Sequence, residues 1–148
     1  MKSHTMKKLL LVLLWLPIFG VQAQESDVKA AIDTFFAGFH AKDTVKINSV
    51  ISKEMVLHSV TEVPGGSRFS AESAANLAQS ILSIPKDIQI EERILSYDIK
   101  IDGAMAHAWT PYEFYVNGKL SHKGVNSFQL YKDTAGWKIT YIIDTRRK

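Results

Sequence analysis

His122 and Asn126 share one strand parity with Gly124, Phe128 and Leu130, while Lys123, Ser127 and Gln129 occupy much of the other. Period-two alternation sends the apolar set of a strand to the buried face, so the imidazole and the carboxamide are predicted to point inward. Tyr112 falls on one parity with Ala106, Ala108, Thr110 and Phe114, and Tyr141 on one parity with Trp137, Ile139 and Ile143. Tyr97, alternating with Leu95, Ile99 and Ile101, offers a third phenol. A histidine near its unperturbed pKa of about 6.5 can take or give a proton at neutral pH. A phenol can donate a hydrogen bond, and a carboxamide can both donate and accept. An unpaired buried amide or imidazole costs ~1–3 kcal/mol, so His122 and Asn126 must bond to each other, a tyrosine, water or a ligand. Convergence of Tyr97, Tyr112, His122, Asn126 and Tyr141 would make a mostly aromatic cavity with few polar groups, the composition of a small-molecule site.

Three readings meet this pattern. In the first, the cavity binds a small, partly apolar, cyclic ligand oriented by His122 and Asn126. In the second, His122 acts as base with Tyr112 or Tyr141 as donor, in an isomerase-like or dehydratase-like reaction. The carboxylate such chemistry often uses is unfilled, because Asp98 lies on the parity opposite Tyr97 and would face solvent. In the third, the polar core is satisfied internally and the chain is a non-catalytic dimeric module. Met105, His107, Trp109, Glu113 and Tyr115 form an aromatic-rich second face on the strand that carries Tyr112, and such a patch fits a homodimer contact through the sheet. Glu113 is predicted to be a solvated or rim carboxylate, and Pro111 marks an edge or bulge that would exchange the two faces. His58 could join the cavity or lie on the surface, and His40 sits near a helix end.

Several chemistries lack their residues. The histidines form no His-Glu-x-x-His pair and cysteine is absent, so no metal or other cofactor is expected. Pro64-Gly65-Gly66 is a turn rather than a phosphate cradle, and no Gly-x-Ser-x-Gly elbow occurs.

The elements that must position these residues can be read in order. Val28, Ala31, Ile32, Phe35, Phe36 and Phe39 recur at helical spacing from Ser26 on. Asp43-Thr44 caps a second, shorter helix through Ile51. Met55–Val63 alternates as a first strand, and after the Pro64 turn Ser70 is predicted to cap a third helix buried along Ala74, Leu77, Ala78, Ile81 and Leu82. Ile88–Asp102 reads as one long strand after Pro85. Three further runs, Ala104–Val116, Leu120–Lys132 and Trp137–Thr145, are joined by turns at Asn117-Gly118 and Asp133–Gly136 into an antiparallel meander. The order implies an α+β fold: three N-terminal helices packed on a strongly curved, mainly antiparallel sheet, with four long strands and one short.

At 148 residues the chain suits one domain. Its opening, Lys7-Lys8, an apolar run from Leu9 to Gly20 and Val21-Gln22-Ala23, matches a secretory signal peptide. The apolar run is shorter than the ~18 residues of a spanning helix. A leader over 1–23 and a domain over 24–148 are therefore expected, and with them a soluble periplasmic or secreted protein. The net charge of +3 lies wholly in Lys2, Lys7 and Lys8, so the remainder is formally neutral. Beyond the closing Arg146-Arg147-Lys148 it offers no basic stripe for nucleic acid. Without cysteine there is neither a disulfide nor a lipidation site at the leader's end, and no membrane attachment is expected after cleavage.

The helix order, the Ala106–Tyr115 strand and the Gly136-Trp137-Lys138-Ile139 close resemble the nuclear transport factor 2-like superfamily. Asp102-Gly103, Tyr112, His122-x-Gly124-x-Asn126 and Asp144-Thr145-Arg146 look like the small exported bacterial members described as lumazine-binding or SnoaL-like proteins. The resemblance spans essentially the whole chain after the leader. It implies a cystatin-like α+β cone, a half-barrel with a cavity between helix and sheet. That superfamily includes isomerases, dehydratases, polyketide cyclases and non-catalytic binding domains, so its functional implication is broad.

Overall fold

The computed structural model describes residues 16–148, with side chains from Gln22 onward. Residues 1–15 of the expected leader lie outside the described residues. The rest of the leader is the opening of a helix, α1 (Leu16–Ala41). No described helix is long and apolar enough to cross a membrane. From Val28 on, α1 buries Ala31, Ile32, Phe35 and Phe36 along one stripe, as their three-to-four spacing requires.

The helix ends where Lys42 turns left-handed at φ 54°. Asp43 N–H donates to the Gly38 carbonyl and Lys42 N–H to that of Phe39, the bonding of a Schellman cap. A lysine occupies the usual glycine position because its Nζ donates to the carbonyls of Pro85 and Ile88. Asp43 then caps α2 (Thr44–Asn48) through its side chain. The short helix folds back closely enough that a Cβ on Gly38 would stand 2.8 Å from Ile47.

Seven strands follow: β1 (Ile51–Val63), β2 (Gly66–Ser73), β3 (Ile90–Ile94), β4 (Asp98–Asp102), β5 (Met105–Val116), β6 (Lys119–Asp133) and β7 (Gly136–Arg146). They form one curved, open sheet in the order β2-β1-β7-β6-β5-β3, with β4 also pairing β5. Only β1 and β7 run parallel; the other pairs are antiparallel. Helix α3 (Ala74–Leu82) lies between β2 and β3 in sequence.

Five local expectations are corrected. Ile51 begins β1 instead of ending α2. Residues 66–73 pair with β1 rather than starting a helix, and Ser73, not Ser70, caps α3 by accepting from Asn76 N–H. These residues are almost all exposed, so no buried alternation announces the strand; backbone pairing makes it. Leu82 is exposed, leaving Leu77 and Ile81 as the buried edge of α3. The run Ile88–Asp102 is two strands, β3 and β4, both hydrogen-bonded to β5. Pro111 lies at their seam, where its carbonyl accepts from Leu95 N–H at 2.8 Å. A proline belongs at such an interruption of the ladder, where a donor is missing from the strand. The faces of β5 do not exchange: Ala106, Ala108, Thr110 and Tyr112 are all buried.

The core joins α1 to the concave face of the sheet. Phe128 packs edge-on against Phe35 and Phe36, with ring centroids 6.4 and 6.0 Å apart, the geometry aromatic quadrupoles favour. Ala106 and Ala108, fully buried on β5, leave room for these rings. A bulge in β7 sets what else faces inward. Gln129 pairs with Tyr141 but Leu130 with Ile139, so Thr140 is an extra residue. Beyond it Ile142 and Asp144 turn inward, and Tyr141 and Ile143 outward.

Candidate functional site

Between α1, α3 and the inner face of the sheet lies a cavity of about 320 Å³. Phe35, Phe36 and Phe39 of α1 form one wall, Phe114 and Phe128 the opposite wall, and Leu77 and Ile81 of α3 close one side. Its ionisable and amide groups come from four strands that curvature brings together: Glu92 on β3, His122 and Asn126 on β6, and Asp144 and Arg146 on β7, with Glu72 on β2; the Ser80 hydroxyl joins them from α3.

Register explains how these meet. Asn126 lies opposite Thr110 on one side and Asp144 on the other, while Phe114 lies opposite both Glu92 and His122. The Asn126 amide donates to Glu92 Oε1 at 2.7 Å and approaches Thr110 Oγ1 at 3.4 Å. Arg146 Nε donates to Asp144 Oδ2 at 2.8 Å. The other Asp144 oxygen, Oδ1, is buried and has no hydrogen-bond partner among the described residues. Glu92 is fixed from behind as well, its backbone N–H donating to His40 Nε2 at 2.8 Å.

Burial dominates the electrostatics of Glu92, with the Asp144 charge adding to it. Against the Asn126 hydrogen bond and Arg146, they push its carboxyl up to about 8. At neutral pH Glu92 is thus held mainly as the acid, able to donate a hydrogen bond from an apolar cavity. Burial, then Arg146, lowers the pKa of His122 while Asp144 opposes. Its ring stacks on Phe114 at 4.8 Å and meets Tyr112 edge-on. Among the described residues the only hydrogen-bond partner of that ring is Ser121 Oγ, at 3.2 Å.

The five residues singled out from the sequence separate. His122 and Asn126 line the cavity. Tyr112 is buried in the wall behind them, its hydroxyl donating to the Thr145 carbonyl at 2.9 Å and lying 3.3 Å from Asp144 Oδ2. Burial and the two nearby carboxylates raise its pKa. Gly124 makes this placement feasible, because a Cβ there would stand 1.8 Å from the Thr145 carbonyl oxygen and 2.7 Å from the Tyr112 ring.

Tyr97 and Tyr141 do not join the cavity. Tyr97 lies between β3 and β4, where the expected continuous strand breaks. Its hydroxyl donates to Asp33 Oδ1 on α1 at 2.5 Å, with Lys29 over its ring. The bulge at Thr140 turns Tyr141 to the outer face, where it is hydrogen-bonded to His58 Nδ1 at 2.8 Å beside Phe69. Glu113 pairs with Lys123 and accepts from Tyr115.

Glu92, Asp144 and Arg146 are the site residues missed. For Glu92 a signal existed: Ile90 and Ile94 flank it on its own parity. For Asp144 the alternation gave none, since Ile142 and Ile143 satisfy either register equally, and only its place in the Asp144-Thr145-Arg146 motif of the resemblance marked it. The arrangement presents an aromatic slot with a carboxylic acid, a carboxamide and an ion pair at one end, suited to gripping a ring by its polar edge.

No family model and no curated protein matches the sequence. Solved structures do match the fold. A nuclear transport factor 2-like protein from Cytophaga hutchinsonii superposes with a TM-score of 0.69 at 11% identity, over 84% of this chain and 98% of that one. A superfamily protein from Salmonella enterica gives 0.68 at 14% identity, over 86% and 94%. A protein of unknown function with a cystatin-like fold, from Nostoc punctiforme, gives 0.65 at 9% identity, over 83% and 90%. With a helix packed into a curved, open sheet of the same architecture, this chain has the nuclear transport factor 2-like, or cystatin-like, fold.

Proposed function

We propose that the chain is a small-molecule-binding domain whose cavity takes a partly apolar, cyclic ligand. The observation that carries this reading is the unpartnered Asp144 Oδ1 beside the Glu92–Asn126 pair, inside an otherwise aromatic slot. A buried acceptor without a donor costs free energy that a ligand N–H or O–H can offset. Phenyl walls supply burial, and the polar edge sets orientation. Replacing Asn126 tests this. In a thermal-shift screen of flavin-like heterocycles, steroids and polyketide-like rings, Asn126→Leu is expected to weaken the best binder by about tenfold, the worth of one or two hydrogen bonds. The variant's own unfolding should change by a smaller free energy. Equal losses of binding and folding, or no binder for the wild type, would count against the reading.

Proton transfer is a second reading, favoured by the two carboxylates that share the slot. Glu92 as acid, with Asp144 or His122 as acceptor, would suit an isomerase-like or dehydratase-like step. Solvent-deuterium incorporation into a bound carbonyl compound would support it; binding without exchange would leave the binding role alone. The leader pattern over residues 1–23 supports placing the domain in the periplasm or outside the cell. On the outer sheet face, exposed Met105 and Tyr131 pair across β5 and β6, and Trp109, 48% exposed, shares that face further along β5, which supports a homodimer contact there.

A further inference from the structure

Two cavity residues, His122 and Arg146, also line a second, outer groove of about 800 Å³. The aromatic slot and this groove therefore meet at one imidazole and one guanidinium. Their charges are opposite in character. Inside, Glu72, Asp144 and the mainly protonated Glu92 face a single cation, Arg146, which is already paired with Asp144. Outside, the side chains of Arg68, Arg146, Arg147 and Lys148 face one acidic side chain, Glu62. Among the described residues Arg68, Arg147 and Lys148 form no salt bridge, whereas Arg146 is tied through Nε to Asp144. An anion deep in the slot would meet carboxylates, while an anion at the shared threshold would meet guanidinium groups that bind carboxylate or phosphate by planar, paired hydrogen bonds.

We infer that the ligand is an amphiphilic anion: a ring system that enters the aromatic slot while its one acidic group stays at the mouth among Arg68, Arg146 and Arg147. This rests on the cavity reading above and adds the charge, polarity and orientation of what binds. It also gives a role to the Arg146-Arg147 close of the chain, which is too short to track a nucleic-acid backbone.

The probes are 2-naphthoate and its uncharged methyl ester, titrated by calorimetry into the full-length protein and into the Arg68→Gln/Arg147→Gln variant. Both substitutions lie on exposed or half-exposed positions away from the core. The wild type is expected to bind the acid about tenfold more tightly than the ester, as two or three solvent-exposed charge contacts allow. Rising salt should erode that preference. In the double variant the preference should fall to near one, with ester affinity unchanged. Equal affinities in the wild type, or an acid preference that survives the double substitution, would overturn the inference and leave the cavity reading standing. If neither probe binds, the cavity reading itself fails, and this inference with it.

Discussion

Between pH about 4.5 and about 8 the protein is expected to lose stability steadily, and Glu92→Gln is expected to abolish most of that loss. Burial raises the Glu92 carboxyl from its ordinary 4.5 to about 8. The folded state therefore holds a proton that the unfolded chain gives up earlier. A group raised in this way contributes its stability fully below the unfolded value, and that contribution is lost as pH climbs through the folded one. At 1.36 kcal/mol per unit, and allowing for relaxation around the charge, the loss is roughly 2–4 kcal/mol. Glutamine keeps the shape and an oxygen to accept from Asn126, but never ionises. Urea midpoints at pH 4, 7 and 9 should thus nearly coincide for the two proteins at pH 4 and diverge at pH 9, with Glu92→Gln the more stable. His40 acts in the opposite sense: burial lowers its pKa, so its contribution is present above its ordinary value and fades as pH falls. Both proteins carry it, and it cancels in the difference. Parallel profiles would mean that the Glu92 carboxyl is solvated and the slot wet.

Gly124→Ala is the second large effect. Tyr112 reaches from β5 across β6 to the Thr145 carbonyl on β7, and Gly124 lies under that crossing. A methyl group there would overlap backbone as well as ring. Backbone cannot rotate aside, so the cost is expected to exceed the roughly 1–3 kcal/mol typical of an overpacked core. Chemical denaturation should show a marginal or unfolded protein. Removing the Tyr112 ring in the double variant Gly124→Ala/Tyr112→Leu should restore little, because the Thr145 oxygen remains in the way. Full rescue would place the clash in the ring alone and would mean that β7 can shift away from β6.

Much of the fold is legible in the sequence because the relevant patterns are long and one-sided. The α1 stripe, the three-strand meander with its Asn117-Gly118 turn, and the inward parity of His122 and Asn126 all come from runs in which only one register buries the apolar set. The elements missed have no such asymmetry. Residues 66–73 bury almost nothing, so only pairing to β1 reveals them. Tyr141-Ile142-Ile143 offers an isoleucine to either face, so the Thr140 bulge that turns Tyr141 out and Asp144 in leaves no mark on hydrophobic periodicity. Tyr97 follows an alternation that breaks where β3 gives way to β4, a seam that lies opposite Pro111 on a different strand. Asp144 therefore sits where register is decided by the neighbouring strand, whereas Glu92 shares its parity with Ile90 and Ile94 and is legible locally.

Ligand binding requires that the slot between α1 and the sheet accept a ring. Methyl-resolved NMR during titration with methyl 2-naphthoate tests this most directly. Saturable shifts are predicted for Leu77, Ile81 and Ile142, which line the slot. Ile47 and Leu130, buried elsewhere in the core, should stay still. Shifts confined to outer-face methyls such as Val56 and Ile143, or none at saturating probe, would contradict it.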